Sequence, residues 1–138
     1  MATTAAITLT SADLLSNAIA VSSTATLYKA GLTTGLDQVR MGRTELPLGT
    51  EFDLIDATTL AINKANKVYI ANKSTSVDQY VKVVIKDKTI GYLYAGDWMF
   101  IPWNADDATH DISVRAYVGV QSVEWALFHE GETLPTAS

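Results

Sequence analysis

The chain contains no cysteine. That absence removes disulfide scaffolds, thiol nucleophiles, zinc knuckles and iron–sulfur centres together, and it suits a protein made in a reducing compartment or indifferent to redox state. No apolar run approaches the ~18 residues of a membrane-spanning helix, so no membrane partner is expected. The opening MATTAAITLT lacks a basic start and a long apolar middle, and does not read as a secretory signal. Basic clusters are missing as well: ten Lys and Arg are scattered among fifteen Asp and Glu, for a net charge of −5. Proteins that bind nucleic acid or anionic lipid neutralise phosphates with a basic stripe, so neither partner is expected. Phosphate-cradling glycine loops, nucleophile elbows, metalloprotease helices and helix-loop-helix calcium loops are also absent. With only His110 and His129 available as imidazoles, no set of nucleophile, base and orienter can be assembled. A non-enzyme without a cofactor is expected.

What is present is a run of short strands. From Lys67 to His129 the segments KVYIAN, QYVKVVI, TIGYLY, DWMFIPW, DISVRAYV and SVEWALF are separated by turn-type residues. Alternation is clearest in DISVRAYV, where Ile112, Val114, Ala116 and Val118 fall on one face and Asp111, Ser113, Arg115 and Tyr117 on the other. Matching inward sets are Val68 and Ile70; Val81, Val83 and Ile85; Met99 and Ile101; and Val123, Trp125 and Leu127. Such sets fill the ~10 Å gap between two packed sheets. KDK between VVI and TIG predicts a tight hairpin, and Pro102, which cannot donate to a ladder, belongs at a strand end or sheet edge.

The fold expected is all-β: an antiparallel β-sandwich, jelly-roll-like, with at most one short helix near the N-terminus. A chain of 138 residues can bury about two thirds of its unfolded surface as one domain, so residues 1–138 are read as a single sandwich. Residues 1–17 would form an N-terminal arm or strand, carrying Ile7 and Leu9, followed by the helix SADLLSNA capped by Ser11. Ala18 onward alternates as a long first strand of the sandwich. Residues 31–50 hold Gly31, Gly35, Gly42, Pro47 and Gly49, which predicts a long irregular contact loop. EFDLID and TTLAI add two strand candidates before the main block.

Four groups of side chains bear on function. Arg40 and Arg43 are either solvated or anchors of a protein interface, where arginine is enriched. The polar loop Asn104, Asp106, Asp107, His110 and Asp111 is either an acidic turn begun by Asn104 or an oxygen-rich Ca²⁺ or Mg²⁺ site, with Asp106, Asp107 and Asp111 as the metal candidates. His129, at the end of a strand, reads as surface decoration. The dense aromatic group Tyr92, Tyr94, Trp98, Phe100 and Trp103 is read as core plus subunit interface, with sugar stacking on one sheet face as the alternative. By parity Trp98 and Phe100 face away from Met99 and Ile101, so that strand is apolar on both sides and should be central or lie in an interface.

The order ITLTSADLLSNAI, STATLYKAGLTTGLDQVRMGR, VYIANKS, IGYLYAGDWMFIPW and VEWALFHEG resembles small virion structural proteins of tailed bacteriophages, notably those infecting cyanobacteria and other aquatic bacteria. The resemblance covers nearly the whole chain. It implies a capsid decoration or cement protein of the virion's outer capsid surface, made in the host cytoplasm, with the major capsid protein as partner and a homo-oligomer, a trimer, as the assembled form. Contact candidates under that implication are Ile7, Leu9, Arg40, Arg43, Tyr94, Trp98, Phe100 and Trp103. A tail, neck or head-fibre component and a carbohydrate-binding module for host attachment are the alternatives.

Overall fold

The computed structural model describes residues 3–11, 19–57, 64–105 and 108–130. They are almost entirely strands: β1 (Thr4–Ser11), β2 (Ile19–Thr26), β3 (Gln38–Leu46), β4 (Glu51–Ile55), β5 (Asn66–Asn72), β6 (Tyr80–Ile85), β7 (Lys88–Tyr94), β8 (Trp98–Pro102), β9 (Ile112–Tyr117) and β10 (Gln121–His129). A single turn of 3-10 helix, Ala108–His110, precedes β9. The chain divides into two compact units, Met1–Leu36 and Asp37–Ser138.

In the first unit β1 and β2 form an antiparallel two-stranded sheet, with Thr4 opposite Thr26 and Ser11 opposite Ile19. The expected arm is therefore one leg of a hairpin. The second leg corrects the expectation of a first sandwich strand, since β2 pairs with β1 and with neither larger sheet. Alternation assigns a residue to a face and says nothing of which strand will lie beside it. The helix expected over residues 11–18 and the strand expected over 58–62 lie outside the described residues, apart from Ser11, which closes β1.

The second unit is an antiparallel β-sandwich. One sheet has the order β3-β10-β5-β8 and the other β4-β9-β6-β7. Their inner faces share one core, in which Val68 and Ile70 meet Val81 and Val83, Ile112 and Val114, and Val123 and Leu127. Ile85, Met99, Ile101 and Trp125 pack against it from the margins. These are the inward sets that alternation picks out, and each fully buried aliphatic side chain contributes about 1.5–3 kcal/mol. Lys86 and Asp87 both have positive φ, 50° and 59°, as a two-residue type I′ hairpin demands. Pro102 ends β8 at the sheet edge, where its missing N–H costs no ladder bond.

The stretch 31–50 departs from the irregular loop expected. Its middle is β3, an edge strand paired to β10 from Leu46 opposite Gln121 to Gln38 opposite His129. Gly31 and Gly49 do sit at turns, with φ of 70° and 73°. Gly42 serves a different purpose: the Trp125 indole lies over it, and a Cβ there would be 2.9 Å from Trp125 Nε1. Gly42→Val is expected to displace that indole and cost about 1–3 kcal/mol, as overpacking does. Urea unfolding combined with tryptophan fluorescence checks this, and an unaltered midpoint and spectrum would show that the ring yields freely.

Val118 also departs from its expected face. It lies beyond β9, exposed, with φ of 77°, a costly region for a β-branched residue. Gln121 holds the turn. Its Nε2 donates to the carbonyls of Tyr117 (2.6 Å) and Gly119 (3.2 Å) and to that of Tyr80 (3.1 Å). Its Oε1 accepts from Asn72 Nδ2 at 2.9 Å, and the same nitrogen donates to Leu93 O. Both side chains are fully buried, so one polar pair ties β5 and β10 of one sheet to β6, β7 and β9 of the other.

Candidate interaction surfaces

Each sheet of the sandwich has an outer face, and strand register sets what lies there. On β3-β10-β5-β8 three rows of outward residues cross all four strands, with the pair Glu45 and Ser122 beyond them at one end. Met41, Ala126, Tyr69 and Phe100 lie abreast in the middle row. Arg43, Glu124, Ala71 and Trp98 flank it on one side, and Val39, Phe128, Lys67 and Pro102 on the other. A sheet face turned to water normally alternates to polar residues. This one is mostly apolar, with Met41 69% and Trp98 50% exposed, and with Tyr69 and Trp98 in ring contact at 6.4 Å.

The outer face of β4-β9-β6-β7 is different in kind. Tyr117, Tyr80 and Tyr94 lie abreast across three strands. Tyr80 stacks on Tyr117 (centroids 5.0 Å, planes 12° apart), leans on Tyr94 at 5.2 Å and meets Tyr92 edge-on at 5.5 Å. The next row is Glu51, Arg115, Lys82 and Tyr92. Lys82 Nζ and Arg115 Cζ lie 5.9 Å and 5.3 Å from the Tyr117 centroid, within cation–π range.

The aromatic group read from the sequence is thus divided. Tyr92 and Tyr94 belong to one outer face, and Trp98 and Phe100 to the other. Trp103 belongs to neither: it is a core residue, 5% exposed, and its Nε1 donates to His110 O at 2.9 Å. That corrects its reading as an interface or sugar-stacking residue. The strand β8, apolar on both sides, lies at a sheet edge rather than in the centre.

Arg40 and Arg43 sit on β3 rather than in a loop, and being three apart on a strand they point to opposite faces. Arg43 lies opposite Glu124 on the outer face, whereas Arg40 lies opposite Leu127. Ile7 and Leu9 are exposed on one face of the β1–β2 hairpin, with Val21 paired to Leu9. Asp106 and Asp107 lie outside the described residues. Asp111 is engaged structurally, its Oδ1 accepting from Ala57 N at 2.7 Å. Among the described residues no three His, Asp or Glu side chains gather to hold a metal ion. His129 is buried rather than decorative, because β10 has β3 on one side and β5 on the other. Its neighbour Glu130 is buried too, and Oε2 accepts from Ala65 N at 2.6 Å.

Several surface residues escaped the reading of the sequence: Tyr80 and Lys82 on one face, and Val39, Met41, Tyr69 and Phe128 on the other. Parity was the signal that could have found them. Every one alternates with a core residue or with the strand partner of one.

By fold the chain is an antiparallel β-sandwich protein that also carries a two-stranded hairpin. No known protein family matches it, and no curated protein does.

Proposed function

We propose that this chain is a non-enzymatic structural protein of a phage virion, a capsid decoration or cement protein that binds the outer surface of the major capsid shell and stabilises it. The observation that carries the reading is the β1–β2 hairpin. It is a unit of two strands whose apolar face, Ile7, Leu9 and Val21, is exposed. A two-stranded sheet is marginal in water by itself, and a strand pair with an uncovered apolar face is suited to clasping another protein's surface. The sandwich supports the same reading. With β3 to β10 taken as eight successive strands, the orders β3-β10-β5-β8 and β4-β9-β6-β7 suit two Greek keys wrapped as a jelly roll, an architecture of viral capsid and lectin domains. Fold alone does not assign function, so the weight rests on the surfaces. Cement needs no catalysis: modest contacts repeated over a lattice sum through avidity.

Deleting residues 2–10 is expected to weaken binding to purified shells at least about tenfold per subunit, since burying Ile7 and Leu9 is worth about 1.5–3 kcal/mol each. Co-sedimentation with shells that lack the protein measures this, with circular dichroism to verify the sandwich. Undiminished binding would sink the clasping role of the hairpin. Cryo-electron microscopy of the whole particle tests the rest: copies confined to the tail would overturn capsid decoration.

A second reading, a carbohydrate-binding module on a tail or head fibre, draws on the tyrosine row beside Lys82 and Arg115, since rings and cations together suit acidic sugars. Glycan-array binding lost in Tyr92→Ala and Tyr94→Ala would favour it.

A further inference from the structure

The outer face of β3-β10-β5-β8 is apolar where a sandwich facing water should be polar, and its pattern fits a copy of itself. We propose that this face meets the same face of a second chain about a two-fold axis running along the strands. That axis sets β3 against β8 and β10 against β5, row on row. Arg43 then faces Trp98 and Lys67 faces Phe128, so each cation of these rows lies over an aromatic ring. In the middle row Met41 faces Phe100, and Tyr69 faces the small Ala126. Glu124 faces Ala71, beside its own Arg43. Ala126 and Ala71 make room for Tyr69 and Glu124, and no like charges are opposed. A two-fold axis across the strands would instead set Glu124 on Phe128 and Lys67 on Ala71, losing both cation–ring contacts. The strand-parallel axis is the self-complementary one.

Packed sheets cross at about 30°. That offset is greatest at the corners: the long Arg43 and Trp98 span it at one end of the face, and Val39 meets Pro102 at the other. Four strands at ~4.8 Å and three rows at ~6.8 Å give a face of roughly 400 Å² per copy, half of the ~800 Å² of a standard interface. The pair is therefore weak and reversible. An isologous contact closes at two copies, so the two-fold pair replaces the trimer that the phage resemblance implies. The inference rests on this face alone and stands or falls apart from shell binding.

Sedimentation equilibrium of the full chain, from micromolar to millimolar concentration, tests it. A monomer–dimer equilibrium is expected. Arg43→Trp and Trp98→Arg should each weaken it at least about tenfold, because each removes two cation–ring contacts per pair. Mixing the two variants should restore association to near the native strength, since both corner contacts of the mixed pair again join an arginine to a tryptophan. Both positions are exposed, so melting temperatures should hold. A monomer at every concentration, a trimer, a dimer untouched by both variants, or no gain on mixing would each overturn the proposal.

Discussion

Gln121→Leu is expected to destabilise the sandwich by about 3–5 kcal/mol, because it strands buried polar groups at about 1–3 kcal/mol each. The carbonyls of Tyr80, Tyr117 and Gly119 lose the Nε2 donor, and Asn72 Nδ2 keeps only Leu93 O. Leucine nearly matches the volume, so the effect is polar rather than a cavity. The melting temperature should fall by roughly 10–20 °C for a domain of this size. Asn72→Leu should be comparably costly, since it also leaves Ser74 N without the Asn72 Oδ1 acceptor. The double variant should cost less than the sum, because the Asn72–Gln121 bond is counted in both single changes. Urea unfolding of the three variants measures the cycle. Additivity would mean that the two side chains do not act as one network, and a loss below 1 kcal/mol for Gln121→Leu would mean that water replaces it.

Trp103→Ala and Trp98→Ala are expected to part company, although both tryptophans lie in one aromatic segment. Trp103 is buried and anchors the 3-10 turn through His110 O. Its truncation should cost about 3–5 kcal/mol, the usual range for a buried aromatic. Trp98 stands on the outer face, half exposed, with Tyr69 as its one ring partner among the described residues. Its truncation should move stability by no more than about 0.5 kcal/mol, as surface changes do, while weakening self-association. Unfolding midpoints and sedimentation on both variants separate the roles. A Trp98→Ala protein that melts as early as Trp103→Ala would return Trp98 to the core and remove the surface on which pairing depends.

Comparing the two tryptophans shows how far the sequence could be read. Parity along DWMFIPW already sets Trp98 and Phe100 apart from Met99, Ile101 and Trp103, yet all five aromatics from Tyr92 to Trp103 read as one group. They are divided by the crossing from β7 to β8, which carries the chain from one sheet to the other. The same limit explains β3. Glycine-rich composition argues for a loop, and nothing local reveals that Gly42 is a strand residue whose missing side chain makes room for Trp125, 83 positions later. The polar network was illegible for a related reason. Asn72 closes the segment KVYIAN and Gln121 precedes SVEWALF, where each reads as an ordinary polar strand-end residue, and they become structural only when β5 and β10 bring them together.

The sequence by itself determined which side chains face the core. Period-two alternation is a local property of an extended chain, so Val68, Val81, Val114, Val123 and their neighbours could be assigned inward before any strand had a partner. The charge pattern, the KDK hairpin and the place of Pro102 are local in the same sense. Tertiary structure alone decided which strands became neighbours. Pairing joins residues tens of positions apart, and a strand's own pattern is satisfied by any partner that covers the right face. That choice put β2 in a hairpin with β1 rather than in either larger sheet, set Tyr80, Tyr94 and Tyr117 abreast, and placed Arg43 and Trp98 at the two ends of one row of an apolar face.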